Sequence, residues 1–437
     1  MIGEGALAPA ERITERARPA RRVSRLNALF INDTARDGGP GHTLLATLKF
    51  LDPERVRRSV LLPRDGVVSR RISEAGAAES LIIQPDFVEN IFQPLSRAMK
   101  RDDLEAPFWR KSIRMSGNVA RARRFLKTLR ARVRAEGYDV VFCNGTAANF
   151  AGGYLAWSLG VPVVWHGLYT AIPAFQRPLH RWLADRPAVR SILCVSGVTT
   201  LQFGHVSGKV RIIHDGIDLD AFDPKGVAPL LRRELNWSSD TVVFGSCGRI
   251  LPRKGFAEMI EVAQRTLDRL PPNERRRSRF VVIGDTPRDV RGDHLAECRQ
   301  RVQQLGLSDH VHFIGFRADI RPYAVDFDVA IVPSLYEDPL PRAVMESMAL
   351  TKPVIAFDRG GIGEMIDDGI EGQLVCGAPP DLDGMARACV EYFRNPELRN
   401  SHGSAARAKV ERSFDARAHA EVIERELRRA AAFGWRR

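Results

Sequence analysis

The sequence predicts an α/β protein made of two doubly wound domains, each built on a parallel sheet. Short apolar runs alternate with helical stretches along most of the chain, a pattern typical of parallel strands flanked by helices. The alternation occurs in two series, one in each half of the sequence. With 437 residues, the chain is also too long for one ordinary hydrophobic core.

The first series follows an Ala-, Arg- and Pro-rich stretch, residues 1–24, which we expect to form a disordered basic tail. The predicted strands are Leu26–Ile31, Val56–Leu62, Leu81–Ile83, Asp139–Cys143, Val161–Trp165 and Ile192–Val195. The helical stretches between them include one from Gly41 to Leu51, Ile113–Glu136 and Ala147–Leu159. Gly, Asn and Pro interrupt the uncharged stretch 140–176, so we interpret it as strand, helix and strand. A membrane span would need roughly 20 predominantly apolar residues.

The second series also alternates short apolar runs with helical stretches. Its predicted strands are Val242–Ser246, Phe280–Ile283, Val311–Ile314, Val329–Val332 and Val354–Ala356. Its predicted helices are Phe256–Leu270, His294–Leu305 and Pro341–Leu350, and residues 415–433 form a final amphipathic helix. We expect the two domains to join near Asp218–Pro229.

The positive charge is concentrated in the first half. Residues 1–225 contain 34 Lys and Arg against 22 Asp and Glu, whereas the remainder contains 32 against 31. Residues 97–134 alone hold 13 basic and 3 acidic side chains, interspersed with apolar and aromatic ones. An amphipathic basic helix of this kind favours an anionic membrane surface, and the alternative is a solvated helix.

The six cysteines form no CxxC pair, and several lie in apolar runs, so we expect reduced thiols in the cytosol. The N-terminal residues lack a basic segment followed by an apolar one, so no signal peptide is predicted.

Two polar segments carry the candidate chemistry. In the first, a strand ends near Gly248, a loop carries Arg249 and Lys254, and a helix starts near Gly255. A diphosphate is bound by fixed positive charge and by the amides of a helix N-terminus. In the second, Asp338 and Glu346 lie eight positions apart across a loop and a helix, and such a helix carboxylate can accept hydrogen bonds from ribose hydroxyls.

Together these segments resemble the retaining glycosyltransferases of family 4, the glycosyl transferases of group 1. The family's hallmark is an acid, seven residues and Glu, here Asp338 to Glu346 followed by Ser-Met-Ala. The resemblance covers most of residues 26–410 and is most specific over 241–375. It implies the GT-B fold, in which two Rossmann-like domains with parallel sheets face an interdomain cleft. The implied units are an acceptor-side domain (25–220), a nucleotide-sugar-binding domain (221–414) and a helix (415–437) that packs back on the N-terminal domain.

The resemblance also implies roles for individual residues. The residues expected at the reacting groups are Arg249, Lys254, Asp338 and His166. The residues expected to bind the donor are Gly39, Gly41, Phe316, Leu340, Pro341 and Glu346. Three positions depart from the usual pattern: Asp338 is usually Glu, Leu340-Pro341 is usually Phe-Gly, and Asp215 is usually Asn. Glu337 is an alternative to Asp338 as the sugar contact.

The implied activity is retaining, metal-independent transfer of a hexose-type sugar from a UDP- or GDP-sugar to a glycan or lipid-linked acceptor. No cofactor, metal site or nucleic-acid partner is expected, because Asp326-Phe-Asp328 opens a buried strand and no nucleic-acid-binding motif is present. The expected location is cytoplasmic, with peripheral contact to the membrane through residues 97–134. The alternatives are an epimerase or phosphorylase on the same fold, a catalytically silent partner subunit and a nucleic-acid-binding protein.

Overall fold

The computed structural model describes residues 24–36, 38–90, 108–287, 290 and 292–435. Within these ranges the chain forms two parallel sheets with helices on both faces, which confirms the predicted α/β class. The predicted tail lies outside the described residues except for Ser24, as does the first part (97–107) of the basic stretch. The domain boundaries that we placed at 24/25, 220/221 and 414/415 remain predictions.

The first sheet has seven strands in the order β3-β2-β1-β4-β5-β6-β7, and each neighbouring pair is parallel. Its strands are β1 (Leu26–Asn32), β2 (Val56–Leu62), β3 (Ser80–Ile83), β4 (Val140–Asn144), β5 (Val163–Gly167), β6 (Val189–Cys194) and β7 (Val210–Ile212). The central strands are apolar on both faces because helices cover both sides of the sheet.

The helices of the first half connect these strands. They are α1 (Gly39–Phe50), α2 (Val67–Glu74), α3 (Phe108–Glu136), α4 (Thr146–Leu159), α5 (Arg177–Ala184) and α6 (Gly197–Thr200). Helix α4 ends where Gly160 adopts a left-handed conformation at φ 73°, and Pro162 follows it. A Gly in this conformation is a common helix stop signal, and it turns the chain into β5.

The second sheet has six parallel strands in the order β10-β9-β8-β11-β12-β13. They are β8 (Val242–Cys247), β9 (Ser278–Ile283), β10 (Val311–Phe313), β11 (Val329–Val332), β12 (Val354–Asp358) and β13 (Gly372–Cys376). The helices are α7 (Leu231–Glu234), α8 (Phe256–Asp268), α9 (Pro272–Arg275), α10 (His294–Gln304), α11 (Arg321–Ala324), α12 (Arg342–Ala349), α13 (Leu382–Arg394), α14 (Pro396–Ser413) and α15 (Ala416–Ala431). The sequence patterns do not predict β7, β13, α13 and α14, nor the short helices α2, α5, α6, α7, α9 and α11.

The two halves pack together through a shared group of buried apolar side chains. Leu168, Val195 and Ile217 from the first half lie in one cluster with Leu340 and Ile362 from the second, and we call it the central apolar cluster. Because these residues follow strand ends, the C-terminal edges of the two sheets face each other.

The chain returns to the first half at its C-terminal end. The backbone of Ile217 exchanges hydrogen bonds with Phe414 and Ala416, at 2.8 and 3.0 Å. Helix α15 then packs on the first half, where Ile423 and Leu427 share a buried cluster with residues of α1. No helix in the described ranges is long and apolar enough to cross a bilayer.

Candidate functional site

A lysine–aspartate pair occupies the C-terminal edge of the second sheet. Lys254 ends a short 3-10 turn after β8, and Asp338 lies in the loop after β11. Lys254 Nζ is 2.6 Å from Asp338 Oδ2, and the Asp338 carboxylate is nearly buried. The Tyr336 ring lies beneath the ammonium group, and its centroid is 5.2 Å from Lys254 Nζ. The pair therefore holds a positive charge in a defined place at the strand ends.

Two close backbone approaches fix this loop. Gly361 N–H donates a 2.8 Å hydrogen bond to the Asp338 carbonyl, and a Cβ on Gly360 would overlap the Asp338 backbone. Gly255, at φ +75°, begins α8, and a Cβ there would overlap the carbonyl oxygen of Pro333. Only glycine allows these approaches without displacing the backbone.

Glu337 has different partners from Asp338. Its carboxylate accepts a 2.8 Å hydrogen bond from Gly360 N–H and lies 3.1 Å from the Arg359 guanidinium. The side chain of Glu337 is exposed, whereas that of Asp338 is buried against Lys254. We call Gly360 and Gly361 the glycine loop. Glu337 joins this loop to the segment that follows β11, whereas Asp338 contacts Lys254.

Arg249 and Glu346 lie on either side of the β8 end. Arg249 is exposed, and among the residues that the structure describes it has no hydrogen bond or ion pair. Glu346, one turn into α12, accepts a 3.2 Å hydrogen bond from Arg342. Burial and the nearby Glu346 charge raise the pKa of the Cys247 thiol, so Glu346 lies close to the end of β8. Arg249 is therefore available for an anionic ligand.

The remaining predicted donor-binding residues of the second half differ in their exposure. Leu340 is buried in the central apolar cluster, and the buried Pro341 directly precedes α12. Phe316 is 59% exposed in the loop after β10. The structure thus brings Leu340 to the contact between the halves, whereas Phe316 presents a free aromatic face.

The N-terminus of α1 lies at the C-terminal edge of the first sheet, across the cleft from the second half. Gly38 and Gly39 have open space where a Cβ would project, whereas a Cβ on Gly41 would lie 2.6 Å from a Val68 methyl group. Among the described residues, no side chain caps this helix. Its first N–H groups lack intrahelical partners and can bind an anion.

His166 lies in a buried polar network rather than at the surface of the cleft, with only 1% of the residue exposed. Its Nδ1 is 2.8 Å from Asn144 Oδ1, and its Nε2 is 3.4 Å from Asp215 Oδ1. Asn144 in turn donates to the carbonyl of Pro40, at the start of α1, at 2.9 Å. Although burial opposes ionisation, His166 and neighbouring donors lower the pKa of Asp215. The network therefore links His166 to the start of α1, at Pro40.

Sequence reasoning missed the acidic and aromatic groups at the first sheet's edge. Asp33 follows β1, is nearly buried, and accepts a 3.1 Å hydrogen bond from Ala147 N–H. Burial, reinforced by Glu89 and opposed by backbone donors, raises the pKa of Asp33 to about 7. The nearby Asp33 charge and burial raise the pKa of Tyr169, whereas the Arg249 charge opposes them. No linear motif marks these residues.

A second contact between the halves lies beside the site. Glu364, after the glycine loop, accepts a 2.8 Å hydrogen bond from Gly197 N–H through one carboxylate oxygen. Its other oxygen is 3.0 Å from His214 Nε2. We call this contact the Glu364 latch.

Asp326 and Asp328, which imitate a metal-binding Asp-x-Asp pair, bind a single arginine. Arg232 N–H donates to Asp326 at 3.0 Å, and its guanidinium is 2.7 Å from Asp328. Over the described ranges, no group of three or more His, Cys, Asp or Glu side chains could hold a metal ion.

Two family models match the chain. The model described as Glycosyl transferases group 1 matches residues 228–409, and the model described as Glycosyltransferase Family 4 matches residues 93–221. The first contains the Lys254–Asp338 pair and the second contains His166.

Curated relatives have glycosyltransferase names. A D-inositol 3-phosphate glycosyltransferase of Kribbella flavida is 31% identical over 47% of this chain and 47% of that protein. The putative glycosyltransferase EpsD of Bacillus subtilis is 27% identical over 66% of this chain and 76% of its own length. The lipopolysaccharide core biosynthesis glycosyltransferase LpsE of Rhizobium meliloti is 30% identical over 38% and 44%, respectively. The chain spans about half the length of several of these relatives.

Solved structures share the architecture across nearly the whole chain. Anabaena HepE, solved with UDP and glucose, superposes with a TM-score of 0.72 at 21% identity, covering 93% of this chain and all of that one. A glycosyltransferase from Rickettsia africae gives 0.72 at 16% identity, covering 93% and 99%. At these identities the likeness concerns the fold, and the predicted GT-B arrangement is confirmed.

Proposed function

The chain belongs to the glycosyltransferases of group 1 and family 4, and we propose that it transfers a hexose-type sugar from a nucleotide-diphosphate sugar to an acceptor hydroxyl. The observation that carries this proposal is the position of Lys254, held by Asp338, beside Arg249, which has no hydrogen bond or ion pair with any residue that the structure describes. Both cations lie at the sheet edge that faces the open N-terminus of α1. A diphosphate leaving group needs this combination of fixed positive charge and oriented N–H groups.

We propose a UDP- or GDP-sugar as the donor, bound along the second half. The exposed Phe316 suits contact with the base, and Glu346 suits hydrogen bonds to the ribose hydroxyls. Anabaena HepE was solved with UDP and with UDP-glucose, which favours a uridine donor for this chain.

In the proposed mechanism the bond from the anomeric carbon to the diphosphate breaks first, through an oxocarbenium-like state. Negative charge grows on the leaving diphosphate, where Lys254, Arg249 and the α1 amides stabilise it without a divalent metal or other cofactor. The acceptor hydroxyl attacks from the face that the diphosphate leaves, so the configuration is retained. Its proton passes to a leaving phosphate oxygen.

His166 has a positioning role in this proposal. It is buried and touches α1 indirectly on two sides, because Asn144 holds the Pro40 carbonyl at the start of α1 and Asp215 accepts a hydrogen bond from Thr43. A defect at His166 would therefore misplace the α1 amides. This differs from the place at the reacting groups that the family resemblance implied.

We further propose a glycan or lipid-linked acceptor in cell-envelope polysaccharide or glycolipid synthesis, reached at the cytoplasmic face of the membrane. The name of LpsE, a lipopolysaccharide core biosynthesis glycosyltransferase, supports envelope polysaccharides as the product class. The basic stretch 97–134, of which α3 is the described part, suits contact with anionic lipid at that surface.

The first test is release of nucleoside diphosphate from UDP-, GDP- and ADP-sugars by the purified protein. We expect slow hydrolysis of one donor, reduced about a hundredfold or more in the Arg249→Ala/Lys254→Ala variant, because two leaving-group contacts are lost. Arg387→Ala is the matched control, since that arginine pairs with Asp381 on the surface of α13. Its activity should equal that of the native chain.

Equilibrium binding of the same donors distinguishes the alternatives. Binding without hydrolysis, even with acceptor extracts, would favour the catalytically silent partner subunit. A chain that binds no donor but binds nucleic acid in a salt-sensitive manner would contradict the transferase proposal.

A further inference from the structure

Three large apolar side chains are exposed next to each other on the outer surface of the first half. Trp157 on α4 is 57% exposed, and Leu179 and Trp182 on α5 are 54% and 42% exposed. The Trp157 ring centroid lies 6.0 Å from that of Trp182 and 6.1 Å from that of Tyr154. We call these four residues the tryptophan patch.

Packing inside the fold does not account for the patch. The buried face of α5 is formed by His180, Leu183 and Ala184, which contact the core beneath it. Leu179 and Trp182 point to the other side of the same short helix. A contiguous, exposed aromatic surface of this kind marks an interaction site.

Basic side chains outnumber acidic ones around the patch, although Asp185 directly follows α5 and Asp86 pairs with Arg121 and Arg124 of α3. Helices α3, α4 and α5 form one outer layer, since residues from all three share a buried cluster. Their sequences contain 12 Lys and Arg and a single acid, Glu136. Helix α4 carries no charge at all, and the guanidinium carbon of Arg186 lies 4.2 Å from the Trp182 ring centroid. The layer is therefore an apolar centre with a basic border.

We propose that the tryptophan patch inserts into the headgroup region of an anionic lipid bilayer, with the basic face of α3 against the lipid surface. Tryptophan prefers the interface between lipid and water, and basic side chains are attracted to anionic headgroups. A second copy of this chain fits less well, because two such faces would bring like charges together. This inference rests on the proposed function in one respect: an acceptor presented at the membrane would require the enzyme to bind the membrane surface.

The patch extends the contact predicted from the sequence. That prediction concerned the amphipathic basic stretch 97–134, whereas Trp157, Leu179 and Trp182 lie outside this stretch and add a second apolar contribution. The two contributions have different signatures. Attraction by α3 weakens with salt, whereas apolar insertion persists at high salt.

The experiment is co-sedimentation of the full chain with phosphatidylcholine vesicles, with or without phosphatidylglycerol. We expect binding only with phosphatidylglycerol, and a loss of about tenfold or more in the partition coefficient of Trp157→Ala/Trp182→Ala. Ile370→Ala is the control, because Ile370 is similarly exposed on the second half. Brominated lipid should quench the fluorescence of the native chain and quench the double variant less.

Equal vesicle binding by the native chain and the double variant would overturn the inference. So would a concentration-dependent dimer that the double variant abolishes, which would assign the patch to a second copy. Leu179→Ser is a milder second variant if the double variant folds poorly. Donor hydrolysis measured without lipid separates the two proposals, because failure of the transferase proposal removes it in every variant, whereas failure of the membrane inference leaves it intact.

Discussion

Asp338 connects the Lys254 ammonium group to the backbone that positions it. Its side chain contacts Lys254 and its carbonyl accepts a hydrogen bond from Gly361, so the cation, the strand end and the glycine loop are held as one unit. The cost of burying the carboxylate is offset by the nearby ammonium group. Lys254 consequently needs little reorganisation when a diphosphate binds.

Replacing the two neighbouring acids should separate their roles. Asp338→Asn keeps the shape but removes the charge that holds Lys254, so we expect the kcat of donor hydrolysis to fall about a hundredfold. Glu337→Gln keeps an acceptor for Gly360 N–H, so we expect less than about a tenfold loss. Steady-state kinetics on the preferred donor measures both. A larger loss in Glu337→Gln would make Glu337 the sugar contact instead.

His180 makes stability depend on pH. Its ring lies between Trp165, Phe150 and Phe203, and within the described part of the chain neither ring nitrogen has a hydrogen-bond partner. Burial, with the Arg181 charge, lowers the pKa of His180 from 6.5 to about 3. Between these values the unfolded chain binds a proton that the folded chain does not. This histidine therefore lowers the free energy of unfolding as the pH falls from about 6.5 towards about 3.

The His180→Phe variant tests this effect. Between pH 7 and pH 5 we expect the native chain to lose about 2 kcal/mol more of its free energy of unfolding than the variant loses. Urea denaturation at both pH values gives the difference, in which the contributions of all other groups cancel. Parallel losses in the two proteins would show that His180 accepts a proton while folded.

The positions of residues that depend on local spacing were predictable. Asp338, Glu346 and Lys254 stand in a strand, loop and helix arrangement that the linear sequence displays, and the structure brings them to one sheet edge. The burial of His166 and the place of Leu340 in the central apolar cluster depend on how the two halves pack. The place of Asp33 and Tyr169 at the edge of the first sheet was not predicted, because it also depends on tertiary packing.

At the scale of elements, a glycine joins the Lys254 turn to α8. Gly255 has a left-handed backbone and meets the Pro333 carbonyl, so the start of the helix is held against the end of β11. This contact places the Lys254 turn beside the loop that carries Asp338. The conformation and the contact both require the absence of a side chain.

Gly255→Ala should be strongly destabilising. Left-handed strain costs about 1–2 kcal/mol, and the overlap with Pro333 adds to it, so we expect a loss of about 3 kcal/mol or more. Gly306→Ala is the matched control, because Gly306 has a similar φ of +67° but nothing within 4 Å of a Cβ. It should lose only about 1 kcal/mol in urea denaturation. Equal losses would mean that the Pro333 contact relaxes without cost.

The strands that escaped prediction are both at sheet edges. Strands β7 and β13 close the two sheets, and several of their residues are partly or fully exposed, so neither forms the continuous apolar run of a central strand. The central strands, such as β2 and β11, were predicted with their observed bounds. Burial on both faces gives a strand a clear sequence signal, and an edge position weakens it.

At the scale of the whole molecule, the halves meet through contacts of two kinds. The central apolar cluster and the backbone exchange between Ile217 and the start of α15 join them away from the solvent. The Glu364 latch is polar, partly exposed and placed beside the glycine loop that backs Asp338. Polar contacts of this kind can open without unfolding either half, which makes the latch the natural control point for cleft closure.

Glu364→Ala should shift the chain towards open forms. The variant loses the hydrogen bond from Gly197 and the contact with His214, so closure on the donor must proceed without them. We expect the KM for the donor to rise up to about tenfold, the equivalent of about 1.4 kcal/mol, with kcat changed far less. Small-angle scattering without donor should give a larger radius of gyration than for the native chain. The matched control is Glu297→Ala, because Glu297 also contacts a histidine, His294, at 2.8 Å but within the second half. An unchanged KM and radius in Glu364→Ala would mean that the apolar cluster alone sets the angle between the halves.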